Sequence, residues 1–169
     1  MMVLAPRVHP VPARVARWAC AVLLFLGSVL PSQAAVAAIL PPRIVKVLPH
    51  WLDREGRHTL APSLLERDAY QAVLRKDPSR RGGLRFDVQC RALPSDPQLT
   101  LRIEARGTRD RKATLLKTEK TFGPRERSRS WQPVTLSPEQ FNTLGDLVAW
   151  RATLWSGDKM LAEEKSFLW

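Results

Sequence analysis

The segment LRFDVQCRALPSDPQLTLRIEAR, residues 84–106, carries the clearest structural pattern in the chain. Apolar residues occupy every second position in both of its halves: Leu84, Phe86, Val88, Cys90, Leu99, Leu101, Ile103 and Ala105. Because side chains alternate between the two faces of a strand, this pattern predicts two strands, each with an apolar face and a charged face. The intervening LPSDPQ is rich in turn residues, which favours an antiparallel pair that is half buried.

Further strands are predicted on both sides of this pair. The stretch RIVKVL, Arg43–Leu48, is a short apolar strand. Residues 107–112 are predicted to form a hairpin loop. Thr114–Phe122, which follows, is less regular and carries charges that discourage stray pairing, so we expect an edge strand or a bulge. WQPVTL, Trp131–Leu136, contains Pro133, which suits an edge or a bulge. The connection after it, SPEQFNTLGD, residues 137–146, is expected to hold one helical turn. The last 23 residues, 147–169, predict a hairpin around a Gly-Asp turn.

One helix is predicted between the first two strands. Ser63 and Glu66 form a capping-box pattern, and apolar residues at helical spacing follow it: Leu65, Ala69, Ala72 and Val73. The helix is expected over Leu64–Lys76, followed by a loop over residues 77–83. Before it, PHWLDREGRHTLAP, residues 49–62, is predicted as a connector that begins where Pro49 ends the first strand.

This order predicts a mostly β fold of about seven strands, with one α-helix inserted after the first strand. Such a count, at short spacing, is typical of an antiparallel β-sandwich that resembles the immunoglobulin or fibronectin kind. The resemblance is architectural only, because the sequence has no Cys-Trp-Cys framework. We expect one β-sandwich domain over residues 43–169.

The N-terminal residues 1–34 have the composition of a secretory signal peptide. Three arginines precede the apolar run Trp18–Leu30, and small residues then place cleavage after Ala34 or Ala37. The run is too short for a membrane-spanning helix, which needs about 20 residues, although an uncleaved anchor is the alternative. Residues 35–42 would form a short linker.

The predicted compartment is the bacterial periplasm or cell surface. Removal of the signal leaves Cys90 as the one cysteine, so the mature chain has no internal disulfide. Arginine outnumbers lysine by 20 to 7, which fits a GC-rich bacterial coding sequence.

The chain is strongly basic, with a net charge of +11. After Ala34 there remain 24 basic and 16 acidic residues, which favours anionic envelope polymers as partners. Nucleic acid is not an expected partner of an exported protein. The basic residues singled out as ligand contacts lie near the helix end and in two loops: Arg80, Arg81, Arg109, Arg111, Arg125, Arg127 and Arg129. Solvated surface charge is the alternative reading.

The tryptophans of the final hairpin are the second set of candidate contacts. Alternation places Val148, Trp150, Ala152 and Leu154 in the core and Trp155 on the outer face. Two registers are open: a two-residue turn pairs Trp155 with Met160, and a three-residue loop pairs Leu154 with Met160. The sequence favours the second, which sets Ala152 opposite Ala162. Trp155 and Trp169 are candidate anchors for a ligand.

The sequence offers little catalytic chemistry. His50 and His58, with Asp53 and Glu55 between them, are the best potential metal ligands, but their spacing matches no zinc pattern, so no metal or cofactor is predicted. Cys90 lies on the apolar face of its strand and is expected to be a packed thiol. The common hydrolase, nucleotide-binding and metalloprotease signatures are missing from the sequence.

These observations favour an exported, non-catalytic binding or adaptor protein of the cell envelope. Its partner would be an envelope protein or an anionic envelope polymer. One alternative is a small periplasmic enzyme, or an accessory subunit, that uses the loop from His50 to His58. Another is a structural component that self-associates through edge strands such as Thr114–Phe122.

Overall fold

The computed structural model describes residues 40–95 and 98–169, so the predicted signal peptide and most of the predicted linker lie outside the described residues. The described chain is mostly β structure and contains seven strands, three helices and a 3-10 turn over Pro78–Arg80. The strands are β1 Arg43–Asp53, β2 Arg81–Arg91, β3 Leu99–Arg109, β4 Lys112–Phe122, β5 Trp131–Thr135, β6 Asp146–Ser156 and β7 Lys159–Lys165. The helices are α1 Leu64–Lys76, α2 Pro124–Arg127 and α3 Pro138–Leu144.

The strands form two antiparallel sheets. One has three strands in the order β1-β2-β5, and the other has four in the order β4-β3-β6-β7. The alternating residues of segment 84–106 face inward as predicted, and all eight are at most 3% exposed. One buried cluster collects inward side chains from both sheets, among them Phe86 and Val134 from the first and Ile103 and Leu154 from the second.

The predicted end of the first strand is wrong. β1 continues through Pro49, which lies opposite Phe86 in the ladder with β2. Proline is tolerated there because β1 is an edge strand, where a missing N–H need not cost a ladder hydrogen bond. His50 therefore lies in a strand rather than in the connector.

The bounds of α1 are confirmed, but the buried face is not the predicted one. The helix buries Tyr70, Gln71 and Leu74, whereas Leu65 is 79% exposed. The reason is a polar contact that the apolar spacing does not reveal. The Gln71 side-chain amide donates to the Trp51 carbonyl and accepts from the Trp51 N–H, at 2.9 and 2.8 Å, so the polar side of α1 is held against the edge of β1.

The predicted capping box of α1 is also wrong, because Ser63 is the N-cap residue but its side chain makes no capping hydrogen bond. A complete capping box instead begins α3, where Ser137 and Gln140 bond reciprocally. The short helical turn expected after β5 is thus present.

The final hairpin follows the first predicted register at its turn and departs from it farther along the strands. The turn has two residues, Gly157 and Asp158, and Trp155 pairs with Met160, so the favoured three-residue loop is wrong. A bulge follows, and it sets Leu154 opposite Ala162. Because of this bulge, the hairpin has both a two-residue turn and the apolar pair Leu154–Ala162 farther from the turn.

A second bulge changes the facing of β6. The ladder between β3 and β6 shifts between Arg106 and Gly107, and Val148 is the residue left unpaired. Val148 is therefore 48% exposed, contrary to the alternation, and Leu147 packs against the core instead. Trp150 remains on the inner side and packs against the core as predicted.

The predicted hairpin loop over residues 107–112 is tighter than expected. β3 and β4 pair along their full length and are joined by Asp110 and Arg111, which have positive φ angles of 50° and 63°. Two positive φ angles define the turn type whose twist matches a hairpin. β4 is an edge strand, as predicted.

Candidate functional site

The two candidate tryptophans of the sequence lie on the same outer face, that of the four-stranded sheet. Trp155 is half-buried on β6, opposite Thr100 of β3. Trp169 follows β7 and a short turn in which its N–H donates to the Ser166 carbonyl, and its ring is also half-buried. The sequence left Trp169 unplaced because its position depends on that turn rather than on strand alternation.

Guanidinium groups lie over both rings. Arg102 is 4.6 Å from the ring centroid of Trp155, and Arg106 is 4.1 Å from that of Trp169. Arg151 also approaches Trp169, at 5.3 Å. These distances are within the range of cation–π attraction. We call this surface the arginine–tryptophan face and define it by Arg102, Arg106, Arg151, Trp155 and Trp169.

Carboxylates pair two of the three arginines. Arg102 donates to Glu119 of β4 at 2.7 Å, and Arg151 donates to Glu104 of β3 at 2.6 Å. For Arg106, the described residues record the stacking on Trp169 but no carboxylate within salt-bridge distance. Arg106 is thus the cation of this face whose charge is left for a ligand.

An apolar depression adjoins Arg106 on the same side of the sheet. It has a volume of about 380 Å³ and is lined by Arg106, Gly107, Thr108, Ala113, Thr114, Leu115 and Val148. Leu115 is 68% exposed, and Val148 reaches this surface because of the bulge in β6. An exposed apolar patch beside aromatic and arginine side chains is typical of a protein-binding surface.

Sequence reasoning did not single out the arginines or the depression. Alternation already placed Arg102 and Arg106 on the outward side of β3, so an outward Arg pair beside an outward Trp could have been noticed. The exposure of Val148 could not, because no turn residue or glycine in β6 marks the bulge.

Arg81, a predicted ligand contact, is engaged inside the fold. It begins β2 rather than lying in a loop, so the predicted loop over residues 77–83 is shorter than expected. Its buried guanidinium donates to the carbonyls of Leu74 and Arg75 at the C-terminal end of α1 and pairs with Asp146 at 2.6 Å. It also lies 4.1 Å from the Trp51 ring centroid.

The two predicted basic loops lie at opposite ends of β3 and β4. At one end, Arg109 is the last residue of β3 and Arg111 lies in the turn that joins β3 to β4. Arg125, Arg127 and Arg129 follow Phe122, which pairs with Leu99 at the other end. Arg127 also donates to the Pro94 carbonyl at 2.8 Å, and Arg80 is exposed at the end of the 3-10 turn. The loops therefore do not form one basic cluster.

The two histidines do come together. His50, on β1, is 6% exposed and its Nδ1 lies 2.8 Å from Asp87 of β2. His58 lies with its ring centroid 5.3 Å from that of His50, and its Nε2 is 3.2 Å from Arg85. We call these four residues the histidine cluster. Since an arginine is always protonated, His58 Nε2 must be the acceptor.

The electrostatics of the histidine cluster favour a neutral His58 and an ionised Asp87. Burial, followed by the proximity of Arg85 and His50, lowers the pKa of His58. Burial acts to raise the pKa of Asp87, but hydrogen bonds from His50 and Arg85 outweigh it and lower that pKa. The cluster links β1, β2 and the loop before α1, so it holds that loop on the sheet.

Comparisons with protein-family models, with curated proteins and with solved structures found no match. Within residues 40–95 and 98–169, no helix has the length and apolar character needed to cross a membrane. The same residues contain no group of three or more His, Cys, Asp or Glu side chains arranged to hold a metal ion.

Proposed function

We propose that this protein is an exported, non-catalytic binding module of the bacterial cell envelope, and that the arginine–tryptophan face holds a protein partner. The observation that carries this proposal is the juxtaposition of Trp169, the apolar depression at Leu115 and Val148, and Arg106, which pairs with no carboxylate of residues 40–95 and 98–169. Tryptophan and arginine beside a desolvated apolar pocket are the residues that dominate binding energy in protein interfaces.

The geometry favours a protein over a polysaccharide. Sugars stack on free aromatic faces, but guanidinium groups already lie over the rings of Trp155 and Trp169. The basic loops, which would suit an anionic polymer, lie at opposite ends of the strands. A partner segment with an apolar side chain for the depression and a carboxylate for Arg106 satisfies both features of the face.

The proposed fold is a fibronectin-like variant of the immunoglobulin sandwich. The orders β1-β2-β5 and β3-β6-β7 correspond to strands A-B-E and C-F-G of that architecture. β4 pairs with β3 rather than with β5, which departs from the constant-type arrangement. Helix α1 is an insertion between the first two strands.

Capture of the protein from its own envelope tests the function. A C-terminal tag on a long spacer keeps the tag clear of Trp169, and washes at low and high salt separate partners held by charge alone from partners held by apolar contacts. We expect a stoichiometric protein that survives high salt. Polysaccharide released by salt, with no retained protein, contradicts the proposal.

Matched variants locate the contact. Trp169→Ala and Arg106→Glu should each reduce the captured partner at least about tenfold, the loss expected for an interface anchor. Trp131→Ala removes an exposed ring from the other sheet, and Arg111→Glu reverses an exposed charge in the β3–β4 turn. Both controls should retain the partner, and an equal loss in the controls would place the contact elsewhere.

The rival enzymatic function is tested by the double variant His50→Ala with His58→Ala. A binding module should keep its partner in this variant once its fold has been verified. Loss of a measurable turnover, with binding intact, would instead favour the enzyme.

A further inference from the structure

The outer edge of β4 is a long, regular strand edge. β4 spans Lys112–Phe122, pairs with β3 along its full length, and is the terminal strand of the four-stranded sheet. Within the described chain no strand covers its other side. An edge strand presents a row of backbone N–H and C=O groups that can pair with another chain.

The hairpin turn fixes which backbone groups are available. Arg109 and Lys112 flank a two-residue turn, so they form a hydrogen-bonded pair, and every second residue from Lys112 onward bonds to β3. The intervening positions, Ala113, Leu115, Lys117, Glu119 and Thr121, direct their backbone groups to the open edge. Thr118 is bonded to β3 and lies midway along the strand.

Among the three central positions for a twofold axis, charge favours one register for a second copy of the same strand. A twofold axis at Lys117 would set two lysines opposite each other, and an axis at Glu119 would set two glutamates opposite each other. An axis at Thr118 sets Lys117 opposite Glu119 of the partner subunit, twice by symmetry. Opposite charges directly across an antiparallel pair stabilise it, and like charges destabilise it.

We propose that two copies of this protein pair through β4, antiparallel and about a twofold axis at Thr118. Lys117 and Glu119 lie on the outer face and already form a 3.0 Å ion pair within one chain, where Glu119 also accepts from Arg102. In the dimer each Glu119 would exchange the Lys117 of its own chain for the lysine at the same position of the second copy. Every Glu119 carboxylate would therefore still face a lysine. Lys120 points to the other face, where it pairs with Glu126 at 3.4 Å, so it does not oppose the contact.

Disulfide trapping tests the register directly. In the proposed dimer the two Thr118 residues form a non-hydrogen-bonded pair with Cα atoms about 4.5 Å apart, within reach of a disulfide. Thr118→Cys should therefore form a crosslinked dimer under mild oxidation. Thr121→Cys is the matched control, because the two copies of that residue would be about 20 Å apart. Cys90 is buried and should not interfere.

Charge reversal provides the second measurement. Lys117→Glu alone, and Glu119→Lys alone, each create two like-charge pairs and should weaken dimerisation about tenfold in sedimentation over a concentration series. The double variant restores opposite charges and should restore the dimer. Equal crosslinking at both cysteines, or single and double variants that associate alike, would overturn the proposal. Partner capture by the arginine–tryptophan face does not depend on this outcome.

Discussion

At the scale of single residues, hydrogen bonds determine side-chain positions that hydrophobicity does not predict, and Arg81 is an example. Arg81 reads from the sequence as one more basic residue beside a helix end. In the fold its planar guanidinium donates to two terminal carbonyls of α1, pairs with Asp146 and lies over Trp51. Lysine could not replace it, because an ammonium group lacks the fork of donors and the flat face that these contacts need.

Replacing Arg81 by alanine should lower the free energy of unfolding by about 3 kcal/mol, because the carbonyls of Leu74 and Arg75 lose a charged donor. Arg80→Ala removes the neighbouring, exposed arginine and should change the free energy of unfolding by less than about 0.5 kcal/mol. Urea denaturation of both variants measures the difference. Equal effects would show that Arg81 acts only through general charge.

The ionisation of Asp53 makes the stability of the fold depend on pH. Burial acts to raise its pKa, but hydrogen bonds from the Arg57 backbone, the Tyr70 hydroxyl and the Arg57 side chain outweigh burial and lower the pKa from 3.8 to about 2. A carboxyl group whose pKa is lower in the folded state stabilises the fold above its unfolded pKa. That stabilisation is lost as the pH falls through the folded pKa.

The variant Asp53→Asn should therefore lose about 2 kcal/mol of unfolding free energy at pH 7. The difference from the unmodified protein should shrink between pH 3.8 and about 2, where Asp53 itself becomes protonated. Denaturation at pH 7, 4 and 2 measures this difference, and the other titrating groups cancel in the comparison. A difference that stays constant down to pH 2 would assign the effect to packing.

At the scale of elements, close backbone contacts position helices and bulges. Gly107 lies in β3 beside the end of α3, where a Cβ atom would come within 2.3 Å of the Leu144 backbone oxygen. The same residue lies at the register shift between β3 and β6 that exposes Val148. Glycine at this point permits both the close helix contact and the bulge that shapes the apolar depression.

Gly107→Ala should lower the free energy of unfolding by about 2 kcal/mol, because the added methyl group overlaps backbone that cannot move without shifting α3. The matched control is Gly123→Ala, where a Cβ atom meets nothing within 4 Å and the φ angle is −97°. That control should be close to neutral in thermal denaturation. A neutral Gly107→Ala would mean that α3 is more loosely held than the contact indicates.

At the scale of the whole molecule, the four-stranded sheet offers two distinct surfaces to two kinds of partner. The arginine–tryptophan face and the depression lie on one side of the four-stranded sheet, and the open edge of β4 borders the same sheet. A β4-paired dimer would continue that sheet and carry two copies of the face. Binding and self-association are thus compatible.

The proposed export concerns the whole chain and has its own prediction. Expression of the full sequence in a bacterium should yield a periplasmic protein whose intact mass corresponds to a chain that begins at Ala35 or Ala38, because small residues precede both bonds. Replacing Ala34 and Ala37 by aspartate should block cleavage and leave the protein in the membrane fraction. A full-length protein in the soluble cytoplasm would contradict the proposed compartment.

Local pattern was enough for the sheet-forming part of the fold. Period-two alternation identified the inward residues of β2 and β3, and helical spacing gave the bounds of α1, because both signals depend only on backbone geometry within one element. The edge position of β4 and the outward position of Trp155 also followed from charge and alternation along single strands.

Tertiary structure alone decided the rest. Hydrogen bonds from Gln71 to the backbone at the edge of β1 determine which face of α1 is buried. The bulges in β6 and β7 expose Val148 and change the register of the final hairpin. The turn after β7 brought Trp169 to Arg106. These contacts join residues far apart in the chain, so their energies do not appear in any local pattern. The sequence by itself determined which faces are apolar, and only packing decided which polar groups meet.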